Sequence, residues 1–424
     1  AAGAAGGLGR HADFVRLWSG TLVSLFGSQI SALAVPLTAV VVLGAGPREM
    51  GVLSATRWVP YLLFGLVAGV WVDRVRRRPL MIWTDVARAA VVATIPAAAL
   101  LGVLRIEHLF VAAFWMGALS LVFDAGYQAY LPSLVRREAL VEGNARLELA
   151  RSAAQIGGPS LAGVLVQVVT APLALLFDAA SYVVSAAALA RIRTAEGPSA
   201  VTERRSVRRE VGEGLRWVFG SPLLRPIVLN NVSRMLAASA MGAVYVLYAT
   251  RELELPPVVL GLVMAAGGPG ALLASVTAPR IIGRLGPGPV LVMTFAAEGF
   301  FALVVPAAAW LPRGWAQAGV LGAHQLTVWY LLTAGSVAEI SLRQAITPAR
   351  LQGRMNTTMR SLNWGTVAIG ALVGGVLGEQ IGLRGTQLCG ALWMIAASGW
   401  SVFSPLRLVR EMPSVSDAAE PHQQ

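Results

Sequence analysis

Five stretches of this 424-residue chain run for more than twenty residues without an Asp, Glu or Arg: 17–47, 152–177, 255–279, 314–338 and 385–406. An α-helix rises about 1.5 Å per residue, so about 20 apolar residues cross the roughly 30 Å hydrocarbon core of a bilayer. Charged residues make up 13% of the chain, against about 25% in soluble domains. Lipid, not water, is the solvent such a composition fits. Adding the runs interrupted by single charges predicts twelve helical spans. They lie near 15–43, 50–72, 80–104, 108–131, 146–170, 172–191, 225–249, 257–281, 288–310, 318–342, 356–378 and 386–404. The expected fold is an all-α membrane protein with 12 transmembrane helices in two six-helix pseudo-repeats.

The charges set the expected orientation. All 34 basic residues are Arg and the net charge is +12. Binding to nucleic acid would need a basic face on a soluble fold, whereas these Arg are scattered between apolar runs, so no nucleic-acid partner is expected. With both termini inside, 26 Arg fall in cytoplasmic segments and five in outer loops: Arg48, Arg105, Arg251, Arg313 and Arg384. That asymmetry follows the positive-inside rule and predicts a multi-pass protein of the inner (plasma) membrane. The single cysteine, Cys389, permits no intrachain disulfide, and no CxxC or metal-type cluster occurs, so no cofactor or metal is expected. A G-x-x-x-x-G-K-[ST] phosphate loop is missing and the chain has no Lys, which excludes direct ATP drive through it.

The longest polar stretch, 192–224, holds Gly, Pro, Ser and many charges. The expected organisation is a cytoplasmic lead at 1–13 lacking the pattern of a cleavable signal, a six-helix bundle at 14–191, a linker at 192–224, a second bundle at 225–404 and a cytoplasmic tail at 405–424. Within the linker, Val207, Val211, Leu215 and Val218 recur at helical spacing with Arg opposite, predicting a helix lying on the membrane surface. The halves repeat: Asn144 stands 18 residues before Ala162-Gly163, and Asn356 stands 18 before Gly374-Gly375. Six-helix repeats occur in several transporter folds.

Residues 69–78 read Gly69-x-x-x-Asp73-Arg74-x-x-Arg77-Arg78. This resembles the loop 2–3 signature of the major facilitator superfamily, with Arg76 where that pattern has Gly. The stretches 123–166 and 341–365 are similar to its macrolide-efflux and enterobactin-exporter-like branch. Gly158, Pro159 and Gly163 resemble a degraded form of the superfamily's antiporter motif. Span four lacks the Arg that drug/proton antiporters carry midway along it. The resemblance implies a secondary active transporter working by alternating access, most simply proton-coupled export of drugs or small natural products. Its rivals are an uptake symporter and a non-transporting sensor or scaffold. A membrane-embedded enzyme is disfavoured because no nucleophile–base or metal constellation appears. The implied partners are a small-molecule substrate, membrane lipid and protons, and the chain is expected to act as a monomer.

The charged bend at 73–78 anchors topology, since Arg at the cytoplasmic edge meets anionic headgroups. Asp73 contributes nothing to that anchoring, so a gate is expected. Asp73 would accept hydrogen bonds at the start of span eleven near Gly353–Asn356, where a helix N-terminus favours an anion, and Arg74 would pair with Asp124. Charges within spans mark functional hypotheses. Asp85 and Arg88 lie three apart and are expected to form a structural pair; Glu339 is expected to be either solvated or paired with Arg343, four residues on. Arg57 and Asp178 fall in outer thirds, within reach of water. Glu298 lies about 15 Å into span nine at 1.5 Å per residue. Glu298, Asp178 and His324 are the candidate proton-coupling groups. The resemblance places spans seven and ten on a cavity. Asn231, Arg234, Met241, Tyr245 and Tyr248 share one face of span seven, and Gln325, Trp329, Thr333 and Ser336 one face of span ten. Aromatic, Met and hydrogen-bonding side chains together suit a pocket for bulky ligands. Thr21, Ser24, Ser28 and Ser31 make a similar face on span one, and Met116, Ser120, Phe123 and Tyr127 on span four.

Overall fold

The structure, a computed structural model, describes residues 8–72, 75–136, 139–194 and 207–412. Among them it is helical, with no strand. The helices are α1 (Ala12–Leu37), α2 (Pro47–Val72), α3 (Arg77–Leu100), α4 (Ile106–Leu134), α5 (Leu140–Val169), α6 (Ala171–Ala190), α7 (Val207–Gly220), α8 (Leu224–Arg251), α9 (Pro257–Ala265), α10 (Gly267–Leu285), α11 (Pro287–Ala302), α12 (Val304–Ala307), α13 (Trp315–Ile346), α14 (Ala349–Gln380) and α15 (Gly382–Val402). Proline opens α2 and α11, where its missing N–H costs nothing. Gly44 and Gly286, at φ +68° and +88°, turn the chain just before them.

Among the described residues, eight segments are long and apolar enough to cross a membrane: Ala12–Val42, Arg77–Leu100, Ile106–Leu134, Leu140–Val169, Ala171–Ala190, Leu224–Arg251, Pro257–Leu285 and Pro287–Trp310. The segments predicted as spans two, ten, eleven and twelve form α2, α13, α14 and α15, outside that set. No more than half of any of these eight apolar stretches is buried inside the protein. Trp83, Leu101, Val168 and Phe403 stand largely exposed. Apolar surface on that scale is stable only against lipid.

Two compact units form. One comprises Ala1–Glu49, Thr56–Glu203 and Pro256–Ala265; the other comprises Met50–Ala55, Arg204–Leu255 and Ala266–Gln424. In the first, α6 lies between α1 and α3, and α9 rests on α5. Phe14, Leu17, Met81, Phe123, Tyr130 and Leu189 build its core. In the second, α8 lies between α14 and α15, and α13 packs on α10 and α11. Its core is built from Ile227, Leu291, Phe295, Leu342, Met355 and Met359 among others.

The linker helix belongs to the second unit. There α7 docks on α14. Arg354 donates to the Glu213 carboxylate, Val218 is fully buried, and Gly214 faces the α14 backbone. A Cβ at Gly214 would stand 2.9 Å from the Arg354 carbonyl oxygen and collide with Thr358 Oγ1. The Glu213–Arg354 pair is partly exposed, and such pairs contribute about 0–1 kcal/mol. The close backbone fit therefore holds the helix more than the charge does. Gly214→Leu is expected to release α7 and speed protease cleavage within residues 195–220 of the detergent-purified protein, whereas Glu213→Gln changes cleavage little.

Candidate transport site and coupling groups

In the second unit, α8 presents all five residues of the predicted face, and they have different jobs. Arg234 Nη1 donates to Glu298 Oε1 on α11 at 2.9 Å. Both side chains are withdrawn from solvent, at 14% and 5% exposure. Three residues earlier, Asn231 Nδ2 donates to Glu339 Oε1 at 3.0 Å. Arg343 Nη1 donates to the same oxygen at 2.8 Å, and its Nη2 to Asn356 Oδ1 on α14 at 2.7 Å. The expected Glu339–Arg343 pair is thus one segment of a network joining α8, α13 and α14. Met241, read from the sequence as a pocket residue, is buried in a notch left by Gly390 on α15 beside Ala237, Ala391 and Met394. It is a packing group, because glycine at 390 removes the side chain that would otherwise exclude it. Tyr248 is also internal, its hydroxyl donating to the Val305 carbonyl at 3.0 Å. Tyr245 is half-buried and its hydroxyl has no hydrogen-bond partner among the described residues.

On α13, Gln325 and Thr333 are half-buried and Trp329 is 38% exposed. The Trp329 indole lies over Gly267 at the start of α10, where any Cβ would collide with it. His324 Nδ1 donates to the Phe301 carbonyl at 2.9 Å, which ties α13 to α11.

In the first unit, Asp85 and Arg88 form the expected pair on α3. The Arg88 guanidinium sits 4.2 Å from the Phe123 ring centroid and 4.4 Å from that of Tyr182. Asp178 on α6, expected within reach of water, is instead fully buried. Ser31 of α1 donates to its Oδ2 and Ser181 to its Oδ1. Arg57 is exposed. Of the gating candidates, Gly69 lies within α2, Arg77 opens α3, and Asp73 and Arg74 lie outside the described residues. Arg78 donates to the carbonyls of Leu189 at 2.9 Å and Ala190 at 2.5 Å. It thereby caps the C-terminus of α6, where a cation is favoured. Asp124 accepts from the Tyr61 hydroxyl at 3.4 Å. A cavity of about 560 Å³ between α4 and α5 is lined by Tyr127, Gln128, Asn144, Glu148 and Arg151 among others.

Residues 8–424 match the transmembrane secretion effector family, a branch of the major facilitator superfamily. The chain belongs to that family. Among its relatives is the multidrug efflux pump Tap of Mycolicibacterium fortuitum, 25% identical over 370 residues, 84% of this chain and 87% of that one. Another is the enterobactin exporter EntS of Salmonella typhimurium, 25% identical over 415 residues and 96% of each chain. Solved structures with the same fold include a bacterial homologue of the iron transporter ferroportin, inward-facing, with a TM-score of 0.72 at 20% identity over 92% of this chain and 98% of that one. The nucleoside transporter NupG gives 0.75 at 9% identity over 92% and 98%.

In this secretion-effector chain the antiporter-like residues are sites of close helix approach. Gly158 of α5 faces the Gln29 side chain of α1. A Cβ on Gly163 would lie 2.6 Å from the Pro257 carbonyl oxygen and 3.1 Å from Gly261 Cα, both on α9. The Pro159 carbonyl in turn faces Gly261. A second seam has the same character: a Cβ on Gly51 of α2 would lie 2.7 Å from Gly375 Cα and 2.8 Å from the Ala371 carbonyl oxygen on α14. The sequence reading singled out Gly163 and Gly375 as repeat equivalents but missed their partners. The signal was present: Pro47-x-x-x-Gly51 and Pro257-x-x-x-Gly261 repeat the same spacing at the starts of α2 and α9. Ser31, read from the sequence as one member of a hydroxyl face on span one, seats Asp178 together with Gly27, which the sequence analysis did not single out.

Proposed function

We propose that this transporter exports small amphipathic molecules, drugs or natural products among them, in exchange for protons by alternating access. The observation that carries the reading is that relatives named for efflux and export align along nearly the whole chain rather than over one motif. The proposal includes twelve spans, with both termini on the cytoplasmic side of the plasma membrane. It also takes the protein to be a lipid-embedded monomer without catalytic chemistry of its own. Gln325, Trp329 and Thr333 on α13, with the Tyr245 phenol on α8, supply the ligand surface: aromatic area beside a few hydrogen-bonding groups, as amphipathic ligands require. Asn231 and Arg234 shape that surface through their bonds to Glu339 and Glu298. The stretch carrying Gly69, Asp73, Arg74, Arg77 and Arg78 acts with Asp124 as the gate.

An efflux-deficient host producing this protein is expected to accumulate less ethidium and rhodamine 6G than the empty host, and an uncoupler is expected to erase the difference. Greater accumulation in energised cells would establish uptake instead. Unchanged accumulation across a drug and metabolite panel, with no substrate-dependent proton movement in liposomes, would establish a sensor or scaffold.

A further inference from the structure

Four acids are buried among the described residues: Asp13, Asp85, Asp178 and Glu298. Three have their own guanidinium. Asp13 pairs with Arg16, Asp85 with Arg88 and Glu298 with Arg234. Asp178, at 0% exposure, makes no ion pair among the described residues. Its side-chain hydrogen-bond partners are the hydroxyls of Ser31 and Ser181. The position is built for a carboxyl: a Cβ at Gly27 of α1 would stand 2.6 Å from Asp178 Oδ1 and collide with Ser181 Oγ.

The charged groups around Asp178 do not balance it. From α3 come Asp85 and Arg88, and that single guanidinium is already bonded to Asp85 and enclosed by the Phe123 and Tyr182 rings. From α2 comes Arg57, which is exposed, and Asp124 of α4 is a further acid near the same Arg88 guanidinium. α1 contributes hydroxyls only at this level, and α5 has no titratable residue from Ser152 to Val169. One buried guanidinium cannot neutralise two buried carboxylates. An uncompensated charge in a low-dielectric interior is expensive, and two acids sharing one cation titrate as a coupled set. Binding a proton removes the imbalance. Asp178 is the place for it, since its hydroxyl partners accept from a carboxylic acid as readily as they donate to a carboxylate, whereas Asp85 is bonded directly to the Arg88 guanidinium. A second hydroxyl pair joins α6 to α1. Tyr182 lies one turn from Asp178 on α6, and its hydroxyl is 3.1 Å from Ser28 Oγ on α1, which is half-buried.

We propose that Asp178 is the proton-binding carboxyl of this protein, exchanging its proton along the Tyr182–Ser28 hydroxyls, and that Glu298 stays ionised beside Arg234. The role of that proton in transport rests on the proton-coupled reading above; its binding does not. The test is infrared difference spectroscopy of the purified protein in liposomes across a pH titration. The wild type is expected to show a protonated-carboxyl band that titrates away as pH rises. Asp178→Asn is expected to lose that band, and Asp178→Glu to keep it at a shifted frequency, which holds the test open if the Asn variant folds poorly. A band that survives both changes unaltered, or a wild type with no such band, overturns the proposal. Wild-type liposomes that export dye without moving protons would end the coupling reading while the titrating band kept the proton site in place.

Discussion

Arg234→Met is expected to lower the thermal unfolding temperature of the detergent-purified protein sharply, and Arg234→Met with Glu298→Leu to restore most of the loss. The reason is the asymmetry of buried charge. Arg234 and Glu298 meet at 2.9 Å with exposures of 14% and 5%. Removing one member of such a pair leaves the other buried and uncompensated, which costs about 3–5 kcal/mol, whereas replacing both with apolar groups of similar volume is often neutral or stabilising. Glu298→Leu alone should be as damaging as Arg234→Met, because Arg234 is then the stranded charge. The double-mutant cycle reads the interaction itself. If the double variant is as unstable as either single one, the pair is not what holds α8 to α11. The variants also separate structure from transport. A double variant that is stable yet inactive would place Arg234 on the substrate path, and one that is stable and active would leave it a helix fastener.

How much of this was legible beforehand follows from the physics of each feature. The apolar runs located the helices because bilayer thickness is a one-dimensional constraint, readable from length alone. The run at 146–170 became α5, and that at 172–191 became α6. The run at 257–281 appears as α9 and α10, broken at Ala266, and the stacking of Trp329 on Gly267 nearby is a tertiary contact no local pattern records. Local pairs were equally readable: Asp85–Arg88 and Glu339–Arg343 sit three and four residues apart, within helical reach. Arg234–Glu298 was not, since its members are 64 residues apart. Periodicity placed Met241 on the same face as Arg234, but could not show that Gly390 opens a notch for it on α15. The burial of Asp178 was hidden for a similar reason. Its depth depends on how closely α6 approaches α1, and that approach is set by Gly20 and Gly27, which meet Ala188 and Ser181.

The glycine seams yield the second large effect. Gly163→Val is expected to leave the protein in the membrane at near-normal amounts while cutting dye export by about five- to 150-fold, the range that 1–3 kcal/mol of overpacking implies. The new side chain meets backbone, not the flexible end of a side chain: the Pro257 carbonyl oxygen at 2.6 Å and Val258 Cα at 3.0 Å from the Cβ position. Backbone cannot rotate aside, so α5 and α9 must separate. The two helices come from opposite sequence repeats yet belong to one compact unit, so under the proposed alternating-access cycle a forced change in their spacing is expected to slow transport. Gly51→Val should act alike, because its Cβ would meet Gly375 Cα at 2.7 Å. Gly242→Val is the control: nothing lies within 4 Å of the added carbon, and export should hold. Full export by Gly163→Val and Gly51→Val would show that neither seam needs to close during the transport cycle. Loss of both variants from the membrane would show that the seams serve folding instead.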